Sequence, residues 1–309
     1  MTKRNRKSKN QRKTKVASRP GGMASKAAAF SALLADPCNG PLVPDVYPGE
    51  KGIVSRFVSD TTLSQSTGLT CGLLIYHPAS GMVHTSGDLV SSSVTTLSYS
   101  YGVVSPGYGS LNTIAAKQRC LAACITAFAA SASVTSITGE YACGVCSLDT
   151  LANGSSLSFD QAFTLATARG AIERRAVDIK WKPNALDSRY TTKGTFAGAD
   201  ASDTNVVFLV FRNFPAGLGI AARITGVLEW TPKVGTGVAP STTTNSNPLP
   251  ITDIVARMDA RSPSWYQTVS GSFAQALMPT VRGMAQEVGS FAGAALRYTA
   301  RAGMAALMA

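Results

Sequence analysis

The sequence predicts an all-β protein: an eight-stranded antiparallel jelly-roll β-sandwich, preceded by a disordered basic N-terminal arm and followed by C-terminal helices. Three observations predict it. Short runs rich in β-branched and aromatic residues, each bounded by Gly, Pro or Ser, recur between about residues 53 and 233. The 309-residue chain is 45% hydrophobic and only 15% charged, against about 25% charged in a typical soluble domain. Its formal net charge of +12 is gathered at one end.

The arm comes first. Residues 1–26 hold Lys3, Arg4, Arg6, Lys7, Lys9, Arg12, Lys13, Lys15, Arg19 and Lys26, ten bases and no acid. Residues 263–309 hold Arg282, Arg297 and Arg301 against Glu287, which leaves 16 bases and 16 acids in residues 27–262. The chain is thus a neutral body with a basic arm. Between Met1 and Val16 there is no apolar side chain, so the arm cannot bury enough surface to offset the entropy of ordering. Ten flexible cations suit a polyanion, because neutralising phosphates releases counterions without a fixed geometry. No aromatic interrupts the run, so the binding expected is to nucleic-acid backbone, blind to sequence. A solubilising tail and a nuclear-localisation signal are the alternatives.

Residues 27–52 read as a transition segment and 53–233 as the sandwich. Strands are expected at 53–58, 73–76, 94–101, 120–128, 139–146, 176–181, 206–211 and 220–230. Turn chemistry such as His77-Pro78, Ser105-Pro106-Gly107 and Phe214-Pro215-Ala216-Gly217 lies between them. Eight strands at this spacing with long Ser/Gly-rich connections favour a jelly roll over a meander. Helical pattern is sparse in the body, at 112–118 and 160–168. Residues 234–250 form a Pro/Ser/Thr linker or an extended crossing strand, and 251–309 turn helical. Within 251–309, Val281, Met284, Val288 and Phe291 recur at three- and four-residue steps and give one apolar face. That face is read either as a helix docked on the sheet or as a membrane-active segment. No stretch of eighteen uncharged apolar residues occurs, so no spanning helix is expected. The basic N-terminus lacks an apolar core, so a secretory signal is not expected either.

No enzyme is expected. The two histidines, His77 and His84, have no Gly-x-Ser-x-Gly elbow, Walker loop or His-Glu-x-x-His beside them. Cys120-x3-Cys124 and Cys143-x2-Cys146 imitate zinc-ribbon spacing. Both pairs lie on expected strands, however, where 120 and 124 share a face and 143 and 146 do not. The cysteines are therefore read as small buried hydrophobes.

The layout resembles the coat proteins of small icosahedral positive-strand RNA viruses, the nodavirus group above all. The resemblance is carried by Phe30-Ser-Ala-Leu-Leu-Ala-Asp-Pro-Cys-Asn-Gly-Pro-Leu-Val-Pro-Asp45 running into Gly52-Ile-Val-Ser-Arg56. Further stretches are Gln118-Arg119-Cys120, Thr138-Gly-Glu-Tyr-Ala-Cys143, Phe211-Arg212 and Glu229-Trp230-Thr-Pro232. It implies a capsid protein that self-assembles into an icosahedral shell, of T=3 type with roughly 180 copies, and packages single-stranded viral RNA on the arm. Ten arm charges in each copy would then supply roughly 1,800 positive charges. The resemblance places the protein in the virion, and in host cytoplasm during assembly. It also implies a C-terminal segment acting on host membrane during entry, or on RNA inside the particle. Relatives cleave themselves at an Asn-Ala bond with help from a buried acid, and Asp36 stands where that acid would be. No Asn-Ala site is expected here, since the last asparagine, Asn247, precedes Pro248, so autocleavage of this type is not expected. Relatives also bind calcium at subunit interfaces. Asp178 would be a ligand here, but Lys180 occupies the place of its alternating partner, and Asp200 and Asp203 are further candidates. No other cofactor is required. A non-capsid nucleic-acid-binding protein and a membrane-active effector remain the rival readings.

Overall fold

The computed structural model describes residues 22–63, 70–79, 82–85, 100–103, 107, 111, 113–129, 139–152, 159–171, 176–191, 204–214, 219–238 and 243–269. Two antiparallel sheets pack face to face. One has the order β13 (Gln267–Val269), β9 (Val177–Lys180), β6 (Ala115–Ala129), β11 (Ile220–Pro232), β2 (Ile53–Leu63). The other has the order β5 (Ser100–Val103), β4 (Met82–Thr85), β3 (Thr70–His77), β10 (Asn205–Phe214), β7 (Glu140–Ser147), β8 (Ala168–Ala171). Eight of these strands form nested antiparallel pairs: β2 with β11, β3 with β10, β6 with β9, and β7 with β8. A long hairpin rolled up gives this nesting, and it is the jelly roll that the sequence predicts.

The central strands of each sheet are buried on both faces, which explains why they read as unbroken apolar runs rather than alternating ones. In β3 and β10, Leu74, Tyr76, Val207, Leu209 and Phe211 point into the core between the sheets. Leu73, Ile75, Val206, Phe208 and Val210 point the other way. That second face is covered by Leu151 of helix α2 (Leu148–Ala152) and by Ala162 and Phe163 of helix α3 (Phe159–Leu165). On the other sheet, Ile125, Ile224, Leu228 and Trp230 face the inter-sheet core. Leu121, Ala122 and Val227 face a second layer of helix.

That layer is built from both flanks of the sandwich. Helix α1 (Gly22–Ala35) buries Ala27, Phe30, Leu33 and Leu34, and helix α4 (Ile251–Arg261) buries Ile251, Ile254, Val255 and Met258. The spacing in α4 is the three- and four-residue repeat of a single apolar face. Val43, Val46, Tyr47 and Trp265 complete the cluster. The 27–52 segment is therefore part of the core and no mere transition. A two-stranded ribbon of β1 (Gly49–Glu50) and β12 (Thr244–Asn245) ties it to residues 243–250.

Several sequence expectations are corrected. Residues 115–118, expected as helix, open β6, because Gln118 bonds Thr191 and Lys117 lies opposite Thr231 in the sheet. Strand β8 comes after an α3 that ends three residues earlier than expected. Helix does not continue from residue 263: 267–269 form β13, an edge strand on β9. A β-bulge also breaks the parity of β6. Val227 pairs with Ala122 but Leu228 pairs with Cys120, so Leu121 is an extra residue. Cys120 consequently faces the inter-sheet core while Cys124 emerges on the opposite face, where an unbroken strand would have put both together.

Candidate functional site

The basic segment joins the body at α1. Nine of the ten bases, Lys3 to Arg19, lie outside the described residues. The tenth, Lys26, is no part of a loose arm: it stands on α1 and its ammonium donates to the Asp45 carbonyl. Burial pushes Lys26 below the usual lysine range, against the pull of Asp45. α1 ends where Asp36 precedes Pro37, a position that disfavours helical backbone. The next turn closes tightly, since a Cβ at Gly40 would lie 2.6 Å from the Asp36 carbonyl oxygen and 2.8 Å from Leu33 Cα. Arg56 of β2 donates through Nε to Pro37 O at 3.0 Å and through Nη2 to Gly40 O, placing a cation at the C-terminal end of α1. Asp36 itself accepts from the Asn39 backbone N–H at 3.1 Å, so it organises this turn.

The strap after this turn, residues 46–52, is held by a buried ion pair that the sequence did not disclose. Arg119 of β6 and Glu229 of β11 have side chains 2% and 0% exposed, with Nε to Oε2 at 2.8 Å. Arg119 Nη1 donates to Pro48 O at 2.8 Å and Ser188 O at 3.2 Å, and Nη2 to Glu50 O at 3.1 Å. Its guanidinium lies 4.1 Å from the Tyr190 ring centroid and 5.1 Å from that of Tyr47. The second oxygen of Glu229 accepts from Gly52 N–H at 2.8 Å. One guanidinium thus ties two separated backbone segments, the strap and the turn at Ser188, to the sheet, using the forked donors that only arginine offers. The two residues are 110 apart in sequence, and no local signal pairs them.

Asp187, 1% exposed in the 3-10 turn Leu186–Ser188, is another buried acid. Its Oδ2 accepts from Asn184 N–H at 2.7 Å and its Oδ1 from Asn205 N–H at 3.3 Å. Burial nevertheless pushes its carboxyl up to about 7. A folded-state value above the unfolded one of about 3.9 means that its stabilising contribution is full below about pH 4. That contribution is lost as pH rises through 7. Asp187→Asn is expected to flatten this fall, so that urea midpoints of the two proteins converge between pH 5 and pH 8. The change amounts to at most about 1.4 kcal/mol per pH unit, and parallel midpoints would contradict it.

The calcium expectation finds little support in the donor set. Asp178 lies on β9 opposite Thr126 of β6 and Thr268 of β13. Its neighbour Lys180 is 7% exposed, and among the described residues no group of three His, Cys, Asp or Glu gathers. Asp178 and Asp36 both act on the buried Lys180 ammonium, an arrangement that suits an ion pair within the subunit better than a calcium ion. Asp200 and Asp203 lie outside the described residues, as do Val281, Met284, Val288 and Phe291. Among the described residues no helix is long and apolar enough to cross a membrane. The expectation that the chain lacks an Asn-Ala bond is corrected: one occurs, Asn184–Ala185, and it lies within the jelly roll, where Asn184 Oδ1 accepts from Leu186 and Asp187 N–H. His77 is fully buried with Nε2 on Thr204 Oγ1 at 2.5 Å, in the sheet rather than in a cleft.

Nested strand pairs, two packed sheets and a helical layer define a jelly-roll β-sandwich. No family model matches the chain, and no curated protein matches it. Solved structures do. The chain is similar to the crystal structure of the T13 infectious bursal disease virus particle, with a TM-score of 0.54 at 8% identity over 84% of this chain and 97% of that one. It is also similar to T=1 particles derived from the same virus, with a TM-score of 0.51 at 9% identity over 77% and 92% of the two chains. A VP2 subviral particle of that virus gives 0.50 at 9% identity over 82% and 98%. At such identities the likeness is one of fold, and the fold is that of icosahedral virus particles.

Proposed function

We propose that this chain is a structural capsid protein that self-assembles into an icosahedral shell and packages single-stranded RNA on its basic N-terminal arm. The observation that carries the reading is the jelly roll itself, which matches a virus-particle protein over 84% of this chain and 97% of the other. Charge placement supports the division of labour. On the body, Lys51, Lys117, Lys182, Arg212 and Arg223 pair with Asp45, Glu50, Asp259, Glu140 and Asp60. Arg56 and Arg169 are spent on backbone carbonyls. Polyanion binding then falls to Lys3–Arg19, nine bases without an acid. Since the arm enters at Gly22 of α1, the layer of α1 and α4 is the inner face of the shell, turned toward RNA. The finer reading is a nodavirus-like coat of T=3 type, in which the 281–291 apolar face acts on membranes or RNA. No metal or other cofactor is needed for any of these steps.

Rate-zonal sedimentation of the expressed chain tests the proposal. Fast-sedimenting particles carrying nuclease-resistant RNA are expected. A slow monomer or dimer free of nucleic acid would overturn the capsid reading and bring forward a membrane-active effector.

A further inference from the structure

Cys38 and Cys124 stand apart from the other cysteines. All six carry thiols. Cys120, Cys143 and Cys146 sit in apolar surroundings, and burial pushes Cys143 and Cys146 up to about 12. Cys38, in the turn after α1, is half-buried, and its Sγ lies 2.8 Å from Cys124 Sγ on β6, 86 residues away. Cys38 also donates to Thr225 Oγ1 at 3.6 Å, the residue opposite Cys124 on β11. On the other side, Cys124 lies opposite Lys180 of β9. The bulge at Leu121 brings this pair together, because without it Cys124 would face the inter-sheet core beside Cys120.

The chemistry of the pair is asymmetric. The hydrogen bond from Cys124 lowers Cys38 to about 7, against its burial, while Cys124, as the donor, is raised. Lys180 is buried beside both sulfurs and beside Asp178 and Asp36. Cys38 is therefore the nucleophile, partly thiolate near neutral pH and reachable from solvent, and Cys124 is the resolving thiol behind it. A disulfide bond is about 2.05 Å long, so closing it moves the sulfurs together by only about 0.8 Å.

We propose that Cys38 and Cys124 form a redox-controlled clasp that fastens the C-terminal end of α1 to the central sheet. The co-reactant is a low-molecular-weight disulfide. The Cys38 thiolate attacks one of its sulfurs, forms a mixed disulfide and expels a thiolate. Cys124 then gives up its proton, its sulfur attacks Cys38 Sγ, and the second small thiol leaves. Two protein thiols and one small disulfide become one protein disulfide and two small thiols, so atoms and electrons balance. The clasp closes in an oxidising medium and opens where small thiols prevail. It is a property of the single subunit and stands independently of the capsid reading.

The test treats the full chain with oxidised glutathione at pH 8 and counts thiols after denaturation. The count is expected to fall from six to four, with one cross-linked peptide pair containing residues 38 and 124 by mass spectrometry. The melting temperature should rise by about 5 °C or more, and dithiothreitol should reverse both changes. Cys38→Ser, at a half-buried turn position, should keep its remaining five thiols through the same treatment, whereas Cys146→Ser should still lose two. Six thiols surviving oxidation, a bridge to any other cysteine, or thiol loss persisting in Cys38→Ser would overturn the proposal.

Discussion

Arg119→Met is expected to destabilise the folded subunit by about 3–5 kcal/mol, the cost of leaving one partner of a buried ion pair uncompensated. The side chain is 2% exposed and its partner Glu229 0%. The substitution removes the ion pair, three hydrogen bonds to carbonyls of residues 48, 50 and 188, and the stacking against Tyr190. Because two of those carbonyls belong to the strap 46–52, the strap should loosen first. Amide exchange at Gly52 and Glu50 should then quicken while the inter-sheet core stays protected. The double variant Arg119→Met/Glu229→Leu should recover most of the loss, because two apolar side chains of similar volume remove the stranded charge. Chemical denaturation of the three variants checks the cycle. Additive losses in the double variant would mean that the pair is not coupled as described.

Replacing the nine bases Lys3 to Arg19 by glutamine is expected to abolish RNA packaging while leaving the melting temperature of the subunit unchanged. The charge balance gives the reason: the body between residues 27 and 262 carries 16 bases and 16 acids, and its cations are largely engaged with its own acids and carbonyls. For single-stranded nucleic acid each phosphate contact contributes about 0.7 to the slope of log affinity against log salt. Nine contacts therefore give a slope near about −6, and the neutral variant should approach zero. Filter binding across a salt series measures it. A slope that persists in the variant would assign RNA binding to the folded body.

Much of this architecture was legible because jelly-roll strands are short, β-rich and separated by turn residues. The end of α4 was legible too, since Ile251, Ile254, Val255 and Met258 announce one face. Failures have a common cause in tertiary override. Residues 115–118 have helical pattern but are drawn into β6 by a neighbour more than a hundred residues away, and 267–269 become strand because β9 offers an open edge. Residues 22–26 read as the end of the arm and 27–35 as a transition segment, yet Phe30 and Leu33 find their cover on β6, β11 and α4. The ion pair of Arg119 and Glu229 could not be paired from sequence, because nothing local fixes a register between β6 and β11. One inserted residue at Leu121 was equally invisible, and it alone decides that Cys124 meets Cys38. The reading of the basic arm rests on composition alone, because Lys3 to Arg19 lie outside the described residues.

The central claim is that this jelly roll closes into a shell with its helical layer and basic arm inside. Cryo-electron microscopy of the fast-sedimenting particles at subnanometre resolution tests it most directly. The expected result is an icosahedral shell in which α1 and α4 lie at the inner radius, in contact with RNA density. Particles whose α1 and α4 line the outer surface, or open aggregates without a closed shell, would contradict it.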